Sequence, residues 1–242
     1  MRFIVPLAGK GKRSGLQYPK SLYVYNGETI FISIVKKIQK FSQLLAEEAF
    51  ITLVVSSDAD RELFEKELTD NCYPLKNINF VIQSSEPGTA SAIYDAIVST
   101  ENENVSILVV WGDCIGFRTD TLMNLMAQPE ISQLGIHIPG FFEKNCYTVF
   151  RLASGNRVVD AFPTKGHGKV YDEYTDIGVF YIPDVDFVKE ALGRYVESDK
   201  VGESCFIKFI KYGLKDGISS FFYEISSKEE KQGFNSMEDI DG

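Results

Sequence analysis

The sequence predicts an α/β protein with a mixed, mostly parallel central sheet flanked by helices. Three observations carry the prediction. Short β-branched runs alternate with amphipathic helical stretches across residues 1–130, the pattern of parallel strands joined by crossover helices. Val105–Trp111 is a near-continuous apolar run, as a strand covered on both faces requires. Ser154-Gly155-Asn156 separates two further apolar segments, a hairpin signal that brings antiparallel pairing into the second half.

The elements follow in order. Phe3–Leu7 reads as a buried strand ending in a glycine-rich loop. Phe31, Ile34, Val35, Ile38 and Phe41 share one helical stripe. Ile51–Val55 is a strand, after which Ser57-Asp58 offer an N-cap to a helix over Asp60–Asp70. Asn79–Gln83 is the next strand, and Ala90, Ile93, Tyr94, Ile97 and Val98 keep the spacing of a core-facing helix. Thr119–Gln128 reads as a helix and Leu134–Ile138 as a strand. Tyr147–Leu152 and Arg157–Phe162 make the hairpin. Ile177–Ile182 is a strand, Val185–Tyr195 and Ser204–Tyr212 are helices, Ile218–Ile225 is a late strand, and Ser226–Gly242 is a polar tail. No repeat or Pro/Gly/Ser-rich linker interrupts the chain, so residues 1–242 read as one domain.

Composition narrows the function. The chain has 242 residues, 44% hydrophobic and 24% charged, an ordinary globular composition. No apolar run reaches the ~18–20 residues of a membrane span, and the start lacks the order of regions of a signal peptide. The expectation is therefore a cytoplasmic protein without a membrane partner. A net charge of −9 argues against a broad nucleic-acid surface. The charge is uneven: residues 1–27 carry Arg2, Lys10, Lys12, Arg13 and Lys20 and no acid, +5 of the −9 total, leaving −14 for the rest. A cationic patch on an acidic chain suggests a specific small anion. Cys72, Cys114, Cys146 and Cys205 show no zinc spacing and read as reduced thiols. With only His137 and His167, a histidine-based catalytic triad or metal site is not expected.

Three segments carry chemistry. Leu7-Ala8-Gly9-Lys10-Gly11-Lys12-Arg13-Ser14-Gly15 follows a strand and precedes Pro19-Lys20. Glycines let several backbone N–H groups converge on phosphate oxygens, and Arg13 and Lys20 would add charge-assisted bonds. Ser14 stands where both the Walker A loop and the dinucleotide fingerprint need glycine, so neither applies. Val109-Val110-Trp111-Gly112-Asp113 puts a carboxylate at the carboxyl end of a central strand, where ligands of open α/β sheets bind and where a carboxylate suits magnesium. In Gln83-Ser84-Ser85-Glu86-Pro87-Gly88-Thr89-Ala90, Gly88 allows close approach of a ligand and Thr89 can cap the following helix. Gln83 presents the donor and acceptor that reading a base edge requires.

In this order the segments resemble the sugar-phosphate nucleotidyltransferases, a family of Rossmann-like, GT-A-like fold, over nearly the whole chain. The family's GxGxR followed by Pro-Lys matches Gly9, Gly11, Arg13, Pro19 and Lys20. Its Gln then Gly-Thr matches Gln83, Gly88 and Thr89, and its strand-end Gly-Asp matches Gly112 and Asp113. Phe234-Asn235-Ser236-Met237-Glu238-Asp239-Ile240 resembles its C-terminal segment, Lys165 its phosphate-contacting lysine, and Asp176-Ile177-Gly178 its sugar-contacting segment. The start departs from the family's usual Ala-Ala-Gly or Ala-Gly-Gly, and neutral Asn235 replaces a second metal-binding Asp common in it. Asp239 is expected to cap a short helix. The chain ends soon after this segment, so the β-helix acetyltransferase domain of some bifunctional members is not expected.

The resemblance implies transfer of a nucleoside monophosphate from a triphosphate to a phosphorylated small molecule, foremost a sugar 1-phosphate, with release of pyrophosphate. Residues 1–130 would be the nucleotide-binding half. Residues 131–242 would be the acceptor-binding half, including a small β-hairpin subregion. Arg13 and Lys20 would be catalytic. Leu7, Ala8, Gly9, Gly11, Lys12, Gln83, Gly88, Thr89 and Gly112 would bind the nucleotide, with a pyrimidine favoured. Asp113 and Asn235 would hold Mg2+, and Lys165, Asp176 and Gly178 would meet the acceptor. A cytidylyltransferase for a non-sugar phosphate such as phosphocholine, a GT-A glycosyltransferase, and an inactive nucleotide-binding protein are the alternatives. The glycosyltransferase metal motif, Asp-x-Asp, is not found after the middle strand; the sequence has it only at Asp58-Ala59-Asp60, Asp184-Val185-Asp186 and Asp239-Ile240-Asp241.

Overall fold

The computed structural model describes residues 1–9, 15–83, 87–100, 105–164, 171–198, 204–231 and 233–234. In chain order the elements are β1 (Arg2–Pro6), β2 (Val24–Tyr25), β3 (Glu28–Thr29), α1 (Ile30–Leu44), β4 (Phe50–Val55), α2 (Asp58–Asp70), β5 (Ile78–Ile82), α3 (Thr89–Val98), β6 (Ile107–Val110), α4 (Thr119–Met126), β7 (Ile136–Glu143), β8 (Thr148–Leu152), β9 (Val158–Pro163), β10 (Glu173–Asp176), β11 (Val179–Ile182), α5 (Asp186–Ser198), α6 (Phe206–Lys215) and β12 (Ser220–Glu224). Short 3-10 turns lie at Lys20–Leu22 and Lys228–Lys231.

The sheet runs β5-β4-β1-β6-β11-β7-β10-β8-β9, with β12 on β7. Strands β5, β4, β1 and β6 are parallel. β11 lies antiparallel between β6 and β7, and β12 is parallel to β7. Alternate residues of β1 face opposite sides: Phe3 and Val5 enter one core with the α1 stripe, and Ile4 enters the other with Ile93 of α3 and Leu192 of α5. That period of two, with both sides apolar, puts helices on both faces. Each fully buried Phe, Ile or Leu contributes about 1.5–3 kcal/mol. Local signals set the helix starts: Thr29 caps α1 at Ile32 N–H (3.2 Å), and Ser57 caps α2 at Asp60 N–H (3.1 Å).

β10 and β11 pair with β7 in succession, separated by Ile177-Gly178. At this break the sheet divides. β11 continues to β6 and the parallel half, and β10 continues to the β8–β9 hairpin. The expected strand at Ile177–Ile182 is thus shorter, and β10 before it was not expected. Glu173-Tyr174-Thr175-Asp176 is a short polar segment whose pairing comes from its neighbours rather than from an apolar alternation. The β2–β3 hairpin turns at Asn26-Gly27, both at positive φ (54° and 89°), the turn for which Asn-Gly is the usual sequence. β7 also runs beyond Ile138 to Glu143.

His137 lies fully buried in β7. One ring nitrogen, Nε2, is 2.9 Å from the Gln133 carbonyl and the other, Nδ1, is 2.9 Å from Tyr223 Oη. Nε2–H therefore donates to the carbonyl and Nδ1 accepts from the phenol, which fixes a neutral tautomer. Burial lowers the His137 pKa, opposed by the Gln133 bond and Glu130. Burial pushes the Tyr223 phenol up to about 12. Since the folded His137 value lies below the unfolded one, stability is full above ~6.5 and is lost as pH falls through the folded value. In urea melts from pH 7 to 5, His137→Gln should remove up to one proton of this slope, about 1.4 kcal/mol per pH unit. An unchanged slope would remove His137 from the acid response.

Candidate active site

The carboxyl ends of β1 and β6 meet. A Cβ on Gly112 would sit 2.5 Å from Leu7 Cδ2 and 2.7 Å from the Pro6 carbonyl oxygen, so the loop leaving β1 and the segment leaving β6 pack without a side chain between them. Leu7 is anchored by its N–H to Val54 O (2.7 Å). Ala8 is half-buried, and Gly9 is exposed with open space around it. Gly11, Lys12 and Arg13 lie outside the described residues. Beyond them the 3-10 turn at Lys20–Leu22 closes through Leu22 N–H to Pro19 O (2.9 Å). It presents the Lys20 ammonium to the Asp113 carboxylate in an ion pair, with the two side chains 20% and 22% exposed.

The segment after β6 takes its shape from neighbours. Trp111 N–H donates to Gly178 O (2.9 Å), and Phe234 N–H donates to Asp113 O (2.9 Å). Cys114 bridges Gly233 in an antiparallel contact, and its thiol donates to Ile177 O (3.2 Å). Burial raises the Cys114 thiol well above its ordinary value, and the Asp113 and Asp176 charges add to this. The thiol is therefore neutral. All four cysteines are free, as expected. Gly178 joins the break in β10–β11 to this segment. Its φ is +77°, and a Cβ there would lie 2.0 Å from Cys114 Sγ, so no other residue fits the conformation and the contact together.

Asp176 ends β10 beside Gly178. Its Oδ1 accepts Gly178 N–H (2.7 Å), and its Oδ2 accepts the Thr148 hydroxyl (2.5 Å), which also lies 2.9 Å from Thr175 Oγ1. Loss of surrounding water raises the Asp176 carboxyl above its ordinary value despite these bonds, and the Asp113 charge pushes the same way. Asp113 and Asp176 thus share one electrostatic neighbourhood, with Lys20 paired to Asp113. Lys165 and Asn235 lie outside the described residues, as do Asp239 and Asp241. Nothing in the sequence marks Thr148 as a site residue. It reaches Asp176 only because β8 pairs with β10.

The Gln83 loop is built differently from the expectation. Gln83 Nε2 donates to Gly88 O (3.0 Å) and to Ser91 Oγ (2.7 Å), so both amide hydrogens are engaged within the chain. The cap by Thr89 on its own helix is not formed. Gly88 is the N-cap of α3, without a side-chain bond, and Thr89 Oγ1 instead accepts Phe206 N–H at the start of α6 (2.9 Å). A Cβ on Gly88 would lie 2.1 Å from the Ser204 carbonyl oxygen. What approaches this glycine closely is the chain itself. Ser204 N–H to Pro87 O (3.0 Å) and Ala90 N–H to Ser204 O (3.1 Å) complete the contact.

A half-buried carboxylate at a strand end, with a compensating ammonium, suits a hard cation and phosphate oxygens together. Magnesium is commonly held by one or two carboxylates plus phosphates rather than by a full protein cage. Among the described residues, no three His, Cys, Asp or Glu side chains form a metal cluster. The donor set at Asp113 fits a magnesium ion brought in with a phosphorylated substrate.

No family model matches the chain. The bifunctional protein GlmU of Albidiferax ferrireducens is 24% identical over 241 residues, covering 98% of this chain and 50% of that protein. GlmU of Pseudomonas savastanoi is 23% identical over 239 residues, covering 98% and 49%. The chain spans about half the length of these curated relatives. Among solved structures, the inositol-1-phosphate CTP transferase from T. maritima superposes with a TM-score of 0.72 at 18% identity, covering 99% of this chain and 91% of that one. The nucleoside-diphosphate-sugar pyrophosphorylase from Vibrio cholerae gives 0.70 at 16%, covering 98% and 97%. Fold and sequence therefore agree: over nearly its whole length this chain resembles the sugar-phosphate nucleotidyltransferases, and its mixed sheet is theirs.

Proposed function

We propose that the protein is a nucleotidyltransferase that moves a nucleoside monophosphate from a triphosphate to a phosphorylated small molecule, foremost a sugar 1-phosphate, and releases pyrophosphate. The observation that carries this reading is the Lys20–Asp113 pair at the joined carboxyl ends of β1 and β6. The acceptor is a phosphate monoester, largely dianionic at neutral pH because its second pKa is ~6. Its oxygen attacks the α-phosphorus in line. The bond to the β-phosphate breaks, and the electron pair leaves on pyrophosphate. No strong general base is needed, which suits a site whose nearest thiol is neutral and whose chain holds two histidines.

The protein's part is alignment and charge stabilisation. Asp113, with Asn235 as a second oxygen donor next in sequence to Phe234, would hold magnesium. When bound, that ion neutralises charge on the triphosphate and orients it. Lys20 exchanges the Asp113 carboxylate for phosphate oxygens, and Arg13 and Lys12 join it from the loop after β1. Asp176 accepts a hydroxyl hydrogen of the acceptor, and Lys165 meets its phosphate. A second reading has one observation in its favour. Asp176 has no cationic partner among the described residues, which suits an acceptor bearing an ammonium group, as in phosphocholine.

Gln83 is assigned to the base, with UTP or dTTP ahead of CTP. The similarity to an inositol-1-phosphate CTP transferase makes CTP the competitor to include. Because Nε2 is engaged by Gly88 and Ser91, donating to a ring carbonyl requires one of those bonds to open. Gln83→Ala should lower discrimination between pyrimidine triphosphates and ATP or GTP by about tenfold, the order of one hydrogen bond. An unchanged ratio of kcat/KM values would remove Gln83 from base reading. The reaction itself is tested by a grid of triphosphates against sugar 1-phosphates and phosphocholine, read by magnesium-dependent pyrophosphate release. If none of the acceptors in the grid gave pyrophosphate with any triphosphate, the proposed transfer would be contradicted.

A further inference from the structure

Resting on the reading that Asp113 is the metal-holding carboxylate, we infer that Glu230 is a positioning residue for it, acting from the C-terminal segment through the start of α4. The stretch 112–118 between β6 and α4 has little regular structure of its own. Its nearest local backbone bond is Cys114 N–H to the carbonyl of Trp111, just before it (3.1 Å). Its shape is imposed from outside, much of it by residues 228–231 and 233–234.

Glu230 lies 2% exposed in the 3-10 turn Lys228–Lys231. Its carboxylate accepts Arg118 N–H (3.0 Å), the Thr121 hydroxyl (2.8 Å) and Ser227 N–H (3.2 Å). The N-cap residue of α4, Arg118, makes no side-chain cap of its own, so Glu230 supplies that cap from more than a hundred residues away. An acid at a helix N-terminus is favourable both to the unpaired N–H groups and to the helix dipole. The same segment also touches the stretch at Asp113, Cys114 and Gly116. A Cβ on Gly116 would meet the Glu229 and Glu230 carbonyl oxygens at 2.5 and 2.7 Å. Gly233 bridges Cys114, and Phe234 N–H reaches Asp113 O. The Phe234 ring, fully buried, lies 4.8 Å from that of Tyr23, whose N–H bonds Lys20 O (3.1 Å). One strap therefore grips both members of the Lys20–Asp113 pair. From the other side Lys37 of α1 donates to Ile115 O and covers the Phe117 ring.

Removing a group that bonds a metal ligand directly typically changes metal affinity about 10–100-fold; Glu230 acts one step further back, through the segment, so the lower end of that range is expected. The test compares Glu230→Ala and Glu230→Gln with Ser57→Ala, which removes the cap of α2. In the metal-free protein, hydrogen exchange at residues 113–118 should speed up about tenfold or more in Glu230→Ala. Mn2+ titration with triphosphate present should show affinity about tenfold weaker. Glu230→Gln keeps one accepting oxygen and should fall between Glu230→Ala and wild type on both readouts. Ser57→Ala should lower Tm without changing either. Thr121→Val, which deletes one of the three bonds, serves if Glu230→Ala does not fold. Exchange and Mn2+ affinity like those of Ser57→Ala would overturn the inference. Wild-type protein that binds no Mn2+ would instead sink the reading of Asp113, while faster exchange at 113–118 would still report the strap.

Discussion

Asp113→Ala is expected to abolish turnover and leave the fold intact. The side chain is half-buried at a strand end, outside both apolar cores. What fixes the segment is the Asp113 carbonyl, which accepts Phe234 N–H and survives the substitution. Loss of a partly exposed ion pair should cost at most about 1 kcal/mol of stability. Loss of the proposed metal carboxylate should remove roughly 4 kcal/mol or more of transition-state stabilisation, about a thousandfold in rate. Steady-state pyrophosphate release alongside a thermal melt measures both. A mutant of normal Tm and normal rate would show that Asp113 does no chemistry.

Lys20→Ala should be the next most damaging change. In the resting site its ammonium neutralises Asp113, and in the reaction it faces the oxygens on which charge accumulates as pyrophosphate departs. Removing one such contact costs about 2–4 kcal/mol, a 30- to 1000-fold fall in kcat, by analogy with the loss of one oxyanion donor. KM for the acceptor should change much less, since the lysine is assigned to the triphosphate. Arg13→Ala is expected to behave alike. A solvated lysine would shift stability by no more than ~0.5 kcal/mol and leave kcat untouched. Equal kcat in Lys20→Ala and wild type would therefore decide for a surface role.

Much of this was legible in the chain because local rules and the tertiary fold agree. The stripe from Phe31 to Phe41 forms α1, Ser57 caps α2, and the apolar run ending at Gly112-Asp113 stops where the sheet stops. Lys20 and Asp113, singled out separately, are brought into contact across 93 residues. Where contacts are made only by the fold, the sequence was silent or misleading. Thr148 meets Asp176 through strand pairing, and Glu230 caps a helix across more than a hundred residues. Thr89 has the local chemistry of a cap, yet its hydroxyl serves α6 because Gly88 lets the Ser204 backbone pack against the loop. Asp176 sits at a break between two strands that the run Ile177–Ile182 alone does not reveal.

The central claim is that the acceptor's phosphate attacks the α-phosphorus of a nucleoside triphosphate. It is tested most directly by supplying triphosphate labelled at the α-phosphorus, with magnesium and each phosphorylated acceptor, and identifying the labelled product by mass. The account predicts that all transferred label appears in a nucleotide-activated acceptor, one equivalent of unlabelled pyrophosphate forms with it, and both vanish in Asp113→Ala. Label recovered only in nucleoside diphosphate or unreacted triphosphate, with no pyrophosphate from any pair, would contradict it.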